Sequence, residues 1–177
     1  MSLIDPTRSL LLLIDFQARL MPAMHEAEAA LRNAGRLLEA AEMLGVPGLL
    51  TEQNPTGLGP TVEQLPTGDA PVVAKQSFGA CGEEGFADRI PAEAQVIVAG
   101  WEAHVCVLQT VLGLLGAGHQ VHVVADAIGS RQPESKETAI RRMERHGAEI
   151  VSTEMVLFEW LRTAKHPRFR EVAALIR

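Results

Sequence analysis

The sequence predicts a three-layer α/β/α fold of the Rossmann-like kind, in which one six-stranded parallel sheet lies between helices. Short apolar runs alternate with stretches of helical periodicity from end to end. The first of these runs, at residues 10–14, is apolar throughout, which is typical of a strand buried on both faces. A chain of 177 residues can bury a full core by itself. We therefore expect a single domain over residues 1–177.

The apolar runs predict strands at residues 9–14, 46–51, 71–74, 95–99, 120–125 and 148–152. Apolar residues at helical spacing predict helices at residues 25–44, 103–115, 134–146, 153–161 and 167–176. Gly45 stands where a glycine commonly ends a helix. Residues 52–68 are rich in glycine and proline and predict a long loop with at most one short helix, and such loops are often functional.

Composition and charge point to a small-molecule partner. A formal net charge of −6 disfavours a surface for nucleic acid or for an anionic membrane. No apolar run approaches the roughly 20 residues needed to cross a bilayer, and residues 1–8 lack the pattern of a secretory signal. The 2 cysteines are too few for a disulfide framework. These observations predict a cytoplasmic protein with free thiols.

Three polar residues stand at or just beyond the carboxyl ends of predicted strands, where open α/β sheets bind their ligands. Asp15 follows the first strand, Lys75 follows the third, and Cys106 opens the helix after the fourth. A helix N-terminus and a nearby ammonium both favour a thiolate, and a carboxylate can accept the thiol proton. The simpler interpretations are a buried cysteine, a capping aspartate and a surface lysine.

Three segments around these residues resemble the isochorismatase-like cysteine hydrolase superfamily, namely LLIDFQ at 12–17, VAKQSF at 73–78 and GWEAHVCV at 100–107. The resemblance spans nearly the whole chain. Two further segments, TEQNPTGLG at 51–59 and VVADA at 123–127, are most similar to the branch of isochorismatase domain-containing proteins. The resemblance implies the same six-stranded sheet and a catalytic triad of Asp15, Lys75 and Cys106.

The resemblance also implies features that spacing alone does not predict. It places a non-proline cis peptide between Trp101 and Glu102, and an oxyanion hole at the backbone N–H groups of Glu102 and Cys106. It implies a homo-oligomer. Nicotinamidases of this superfamily bind a metal through histidines after the second strand, but residues 51–54 contain no histidine. We therefore expect no metal and no cofactor.

Five residues beside the triad could line a substrate pocket or could belong to the core, and neither alternative is excluded by the sequence. They are Phe16, Gln17, Phe78, Trp101 and His104. Cys81 corresponds to no motif of the superfamily, and we expect it to be a bystander.

The hypothesis from the sequence is a metal-independent cysteine hydrolase that acts on a small molecule, with a C–N amide-type bond as the expected target. Cys106 would attack, Lys75 would stabilise the thiolate and Asp15 would serve as base. The alternative is a catalytically idle binding or scaffolding module of the same fold. A nucleotide-binding Rossmann domain is disfavoured because residues 15–19 lack a glycine-rich phosphate turn.

Overall fold

The computed structural model describes residues 3–176, and its centre is a six-stranded sheet in the order β3-β2-β1-β4-β5-β6. All neighbouring strands are parallel. The strands are β1 (Ser9–Ile14), β2 (Gly48–Gln53), β3 (Val72–Lys75), β4 (Gln95–Trp101), β5 (Gln120–Gly129) and β6 (Glu149–Val151). The predicted fold class, a six-stranded parallel sheet between helices, is confirmed.

Six helices surround the sheet in the described residues: α1 (Ala27–Leu44), α2 (Pro55–Leu58), α3 (Leu108–Gly116), α4 (Pro133–Arg145), α5 (Thr153–Leu161) and α6 (Phe169–Ala174). α1 ends at Gly45, which adopts a left-handed conformation with φ 72° as a C-terminal glycine does. Within residues 3–176, none of the helices has the length and apolar character needed to cross a membrane.

The hydrophobic core forms two layers, one on each face of the sheet. Successive residues of a strand point to opposite faces, so Leu11 and Leu13 of β1 pack with α1, α5 and α6, whereas Leu10 and Leu12 pack with α3 and α4. Both sets are buried. This double burial explains why the first apolar run shows no alternation of polar and apolar residues.

Several strands reach further toward their carboxyl ends than predicted. β2 and β3 continue to the pair Gln53 and Lys75, and β4 and β5 continue to the pair Trp101 and Gly129 after an irregularity in their register. The prediction ended β3, β4 and β5 at alanines and β2 at Thr51, but backbone pairing continues past those residues. Lys75 is therefore the last residue of β3 and not the residue that follows it.

The helix expected over residues 103–115 differs most from the prediction. It begins with a π-helical turn, Ala103–Val107, before α3 starts, so the nucleophile candidate lies in that turn. α5 has the predicted bounds. The remaining helices and β6 differ from the prediction by one or two residues at either end, which is the usual uncertainty of element boundaries.

Candidate active site

The carboxyl edge of the sheet brings Asp15, Lys75 and Cys106 together. β1 lies between β2 and β4, and β3 pairs with β2. Asp15, just after the end of β1, therefore has β4, which leads to Cys106, on one side. On its other side lie β2 and then β3, which carries Lys75. Asp15 adopts a left-handed backbone conformation with φ 54°, and its N–H donates to Thr51 O at 3.1 Å. Aspartate tolerates this conformation better than most residues do, which fits the turn out of β1.

A buried ion pair joins the two charged members of the site. Lys75 Nζ lies 2.8 Å from Asp15 Oδ2, and both side chains are 0% exposed. The ammonium also donates to Gln53 Oε1 at 2.8 Å and to Phe78 O at 2.9 Å. Burial of a charge is costly unless it is paired and hydrogen-bonded, and Lys75 has both kinds of partner. Its orientation is therefore set from several directions.

The two oxygens of the Asp15 carboxylate have different surroundings. Oδ1 accepts a hydrogen bond from Thr51 Oγ1 at 2.7 Å. Oδ2 forms the buried ion pair with Lys75 Nζ, 2.8 Å away. One oxygen is thus held by a hydroxyl and the other by an ammonium.

The turn that carries Cys106 is held by backbone and side-chain contacts. Glu102 O accepts from Val105 N at 3.0 Å and from Val107 N at 3.2 Å, on either side of Cys106. Thr110 Oγ1 donates to Cys106 O at 2.7 Å and accepts from Ala80 N at 3.0 Å. Thr110 therefore links the nucleophile turn to the loop that follows β3. The peptide bond between Trp101 and Glu102 is cis.

Gly100 allows β4 to pass closely by β1 just before this turn. Its φ is +146°, and a side chain there would place a Cβ atom 2.7 Å from the Cβ of Ile14. L-residues with side chains rarely adopt such a φ. Glycine is the residue that satisfies both constraints at this position.

The electrostatics of Cys106 differ from the expectation of a thiolate with a lowered pKa. Burial, followed by the Asp15 carboxylate, raises the pKa of the Cys106 thiol to about 12, although Lys75 acts in the opposite direction. The residue is only 6% exposed. The expectation was wrong because desolvation of the buried thiol and the charge of the carboxylate together outweigh the ammonium in the folded chain. In the free protein Cys106 is a neutral thiol at neutral pH.

A comparison with known proteins identifies the family. Residues 9–155 match the family described as isochorismatase domain. The chain belongs to this family. Isochorismatase domain-containing protein 2 of Danio rerio is 38% identical over 170 residues, covering 95% of this chain and 86% of that protein. The predicted resemblance is thus confirmed, and the chain is an isochorismatase-like hydrolase at the level of its family.

Two solved structures share this fold over nearly the whole chain. The MAR1 ribonuclease of Caenorhabditis elegans has a TM-score of 0.91 and 35% identity, with 99% of this chain and 92% of that chain covered. The YcaC gene product of Escherichia coli, described as an octameric hydrolase of unknown specificity, has a TM-score of 0.93 and 29% identity, with coverage of 99% and 90%. The isochorismatase fold is therefore shared along the full length.

The five predicted pocket residues of this isochorismatase-family chain fall into two groups. Phe16 and Trp101 are buried in the core and their rings pack with centroids 4.7 Å apart. Gln17 is also buried, and its amide exchanges hydrogen bonds with the backbone N–H and C=O of Gln53. These three side chains are part of the core on which the site rests, and solvent does not reach them. Phe78 is 54% exposed, and His104 is half-buried, with Nδ1 3.0 Å from Ser130 Oγ.

Several residues that hold the site were missed by sequence reasoning. Thr51, Gln53 and Thr110 are uncharged and carry no reactive group, so no motif singled them out. Gln53 could have been found by the rule that nominated Lys75, because it ends β2 at the same edge of the sheet. Thr110 offers no such signal, since it lies inside a helix four residues after the nucleophile.

The remaining candidates lie apart from this arrangement. Among residues 3–176, no group of three or more His, Cys, Asp and Glu side chains is placed to hold a metal ion. Cys81 is exposed, its Sγ lies 3.6 Å from Thr110 O, and partial burial raises the pKa of its thiol. A groove of about 380 Å³ is lined by His104 and Leu108 together with residues of α4, but by none of the triad.

Proposed function

We propose that this protein is a metal-independent cysteine hydrolase that cleaves a C–N amide-type bond in a small molecule through a covalent intermediate on Cys106. The observation that carries the proposal is the wholly buried Asp15–Lys75 pair beside a buried thiol. Such a pair adds little net stability because desolvation offsets its attraction. Buried ionisable groups that cluster with a thiol at a strand edge are typical of catalytic sites. The proposal treats residues 1–177 as one catalytic domain.

The first half of the reaction begins with a neutral thiol. As Cys106 Sγ attacks the carbonyl carbon, its proton passes to the carboxylate of Asp15, which is close enough to act on the thiol. Lys75 balances the negative charge on sulfur. The C–N bond then breaks and the proton held by Asp15 goes to the leaving nitrogen, so the products of this half are a thioester and an amine.

The second half regenerates the enzyme. Asp15 accepts a proton from water, the resulting hydroxide attacks the thioester carbon, and the C–S bond breaks. The proton returns to sulfur and a carboxylic acid leaves. In both halves we assign stabilisation of the developing oxyanion to hydrogen bonds from the backbone N–H groups of Glu102 and Cys106. Donors aimed at that oxygen lower the activation barrier substantially.

Substrate contacts beyond the triad are assigned to the side chains that solvent can reach. The backbone carbonyl of Phe78 accepts from Lys75 Nζ, and more than half of the residue is exposed, so its ring can cover an apolar part of a ligand. His104 lies two residues from the nucleophile and is half-buried. Phe16, Gln17 and Trp101 position these elements from within the core.

The test is a screen of small amides followed by trapping of the intermediate. Protein with Cys81→Ser is incubated with each amide, and released amine and the mass of the intact protein are measured. We expect turnover with an acyl adduct on Cys106, and no turnover for Cys106→Ser or Asp15→Asn. Turnover that persists in Cys106→Ser would refute the mechanism. Absence of both turnover and an acyl adduct with every amide of the screen would favour the idle binding module.

The name of the Caenorhabditis elegans relative introduces phosphodiester cleavage as a second candidate. The formal net charge of −6 argues against it, because RNA-binding surfaces neutralise phosphates with clustered cations. Incubation with a labelled single-stranded RNA distinguishes the two reactions. Cleavage that is lost in Asp15→Asn would replace the amide proposal.

We further propose a homo-oligomer in the cytoplasm. The octameric description of the Escherichia coli protein supports self-association, and two free cysteines fit a compartment that keeps thiols reduced. Sedimentation analysis of the purified chain tests the first statement: a mass equal to a single chain at micromolar concentration would overturn it.

A further inference from the structure

One charged pair at the site has no part in the hydrolytic steps. Arg131 Nε donates to Glu102 Oε2 at 2.7 Å. Arg131 lies two residues past the end of β5, and Glu102 lies one residue past the end of β4. Because Trp101 and Gly129 are paired across these two strands, the ion pair stands at the edge of the sheet where the nucleophile turn begins.

The guanidinium of this pair is open to solvent. The side chain of Arg131 is 58% exposed, whereas that of Glu102 is 13% exposed. Within residues 3–176, Nε is the atom of Arg131 that donates a hydrogen bond, so its two terminal nitrogens remain available. A guanidinium fork suits carboxylate and phosphate oxygens, which it can bind in a bidentate manner.

Glu102 connects this cation to the reacting groups. Its carbonyl accepts from the N–H groups on both sides of Cys106, and its own N–H is assigned to the oxyanion hole. The other cation at the site, Lys75, is wholly buried and held by Asp15, so it has no donor to spare for a substrate anion. Arg131 is a second cation beside the turn that carries Cys106, and its side chain is exposed to solvent.

We propose that Arg131 is a specificity-determining residue that binds a negatively charged group of the substrate, so that the enzyme acts on small anionic amides. This inference rests on the proposed cysteine hydrolase function. The alternative is that Arg131 only braces Glu102. A brace would affect neutral and anionic ligands equally, whereas an anion-binding residue discriminates between them.

Iodoacetate and iodoacetamide provide a matched pair of probes, since they alkylate the same thiol and differ mainly in one negative charge. Second-order rate constants for Cys106 are measured with both reagents in protein with Cys81→Ser. Their ratio cancels any effect of a substitution on the pKa of the thiol. We expect Arg131→Gln to lower the iodoacetate-to-iodoacetamide ratio by about fourfold. This is the effect expected for the loss of one unit charge close to an exposed anion, where the effective dielectric constant is high. High salt should also lower the ratio measured for the parent protein, because it screens the charge of Arg131.

Two further variants separate the explanations. Glu102→Gln frees the guanidinium and is expected to raise the ratio, opposite in direction to Arg131→Gln. Arg145→Gln is the control for charge alone. It removes a positive charge at the C-terminal end of α4, about 18 Å from the first turn of that helix, and is expected to leave the ratio unchanged.

An unchanged ratio in Arg131→Gln, with Cys106 still reactive, overturns the anion-binding role and leaves the cysteine hydrolase proposal intact. The same holds if Glu102→Gln and Arg131→Gln slow both reagents alike, since that result identifies a brace. A Cys106 that reacts with neither reagent even near pH 10, where a fraction of the thiol is ionised, overturns the proposed function and this inference together.

Discussion

Lys75 Nζ lies 2.8 Å from Asp15 Oδ2 with both side chains fully excluded from solvent. The two residues come from different strands, since Asp15 follows β1 and Lys75 ends β3. β2 separates them in the sheet and supplies Thr51 and Gln53 as further partners. This pair organises the site, and its removal has consequences for reactivity and for stability.

The reactivity of Cys106 should respond in opposite directions to loss of the two charges. Asp15 raises the pKa of the thiol and Lys75 lowers it. We therefore expect Asp15→Asn to speed alkylation of Cys106 by iodoacetamide near pH 8, and Lys75→Met to slow it, although the proposed mechanism predicts that both variants lose hydrolysis. The parent protein should show a rate that rises through about pH 10 without a plateau, because the thiol is mostly neutral there. A plateau near pH 8 would contradict the neutral resting thiol.

Removal of one partner of the buried pair should destabilise the fold. Without Lys75, Asp15 keeps only the Thr51 hydroxyl, so Lys75→Met should lower the free energy of unfolding by about 3–5 kcal/mol. Asp15→Asn should cost less, because the ammonium retains Gln53 Oε1 and Phe78 O.

The double variant Asp15→Asn, Lys75→Met tests the coupling in this pair. It should be more stable than the sum of the single effects predicts. Urea denaturation measures all three variants. As a control, Arg168→Met breaks an exposed pair with Glu171 and should change stability by no more than about 1 kcal/mol. Equal losses for Arg168→Met and Lys75→Met would contradict the prediction.

Alkaline pH should destabilise the protein through Cys106. The pKa of the thiol is raised from an ordinary 9.0 to about 12 in the folded state. Folding therefore favours the neutral thiol, and this contribution is complete below pH 9 and is lost as the pH rises from about 9 to about 12. Between about pH 8 and pH 10 the unfolding free energy should fall by about 1.4 kcal/mol more in the parent than in Cys106→Ser.

The alkaline prediction can be checked by two measurements. Urea unfolding at the two pH values gives the difference in stability, in a Cys81→Ser background throughout. The ultraviolet absorbance of the thiolate gives the titration directly, and the chain has 0 tyrosines whose ionisation would overlap with it. A Cys106 thiolate that appears near pH 8 would rule out this source of alkaline instability.

Gly100 should tolerate no side chain. Its φ of +146° and the approach of Ile14 both oppose a Cβ atom, so Gly100→Ala should lower stability by well over 1 kcal/mol. The matched control is Gly116→Ala at the end of α3, where a Cβ atom would meet no neighbour within 4 Å and a gain of about 0.4–1 kcal/mol is expected. Thermal unfolding of both variants is the measurement. A neutral Gly100→Ala would show that β4 can shift away from β1.

The fold and the identity of the reactive groups could be predicted because they depend on local patterns. Apolar periodicity located all six strands, and the rule that ligands bind at carboxyl ends nominated Asp15, Lys75 and Cys106. The boundaries were less accurate at Gln53 and Trp101, because backbone pairing between distant segments extends strands past their apolar residues. No local pattern carries that information.

By itself, the sequence determined the sheet, the family and the chemical types at the strand ends, since each follows from residue identity and spacing. The tertiary structure alone decided their state. Burial, followed by the nearby Asp15 carboxylate, raises the pKa of the Cys106 thiol, and Asp15 is itself held by the Thr51 hydroxyl and the Lys75 ammonium. Desolvation and the direction of a hydrogen bond are properties of packed neighbours that are remote in the chain, so only the assembled fold specifies them.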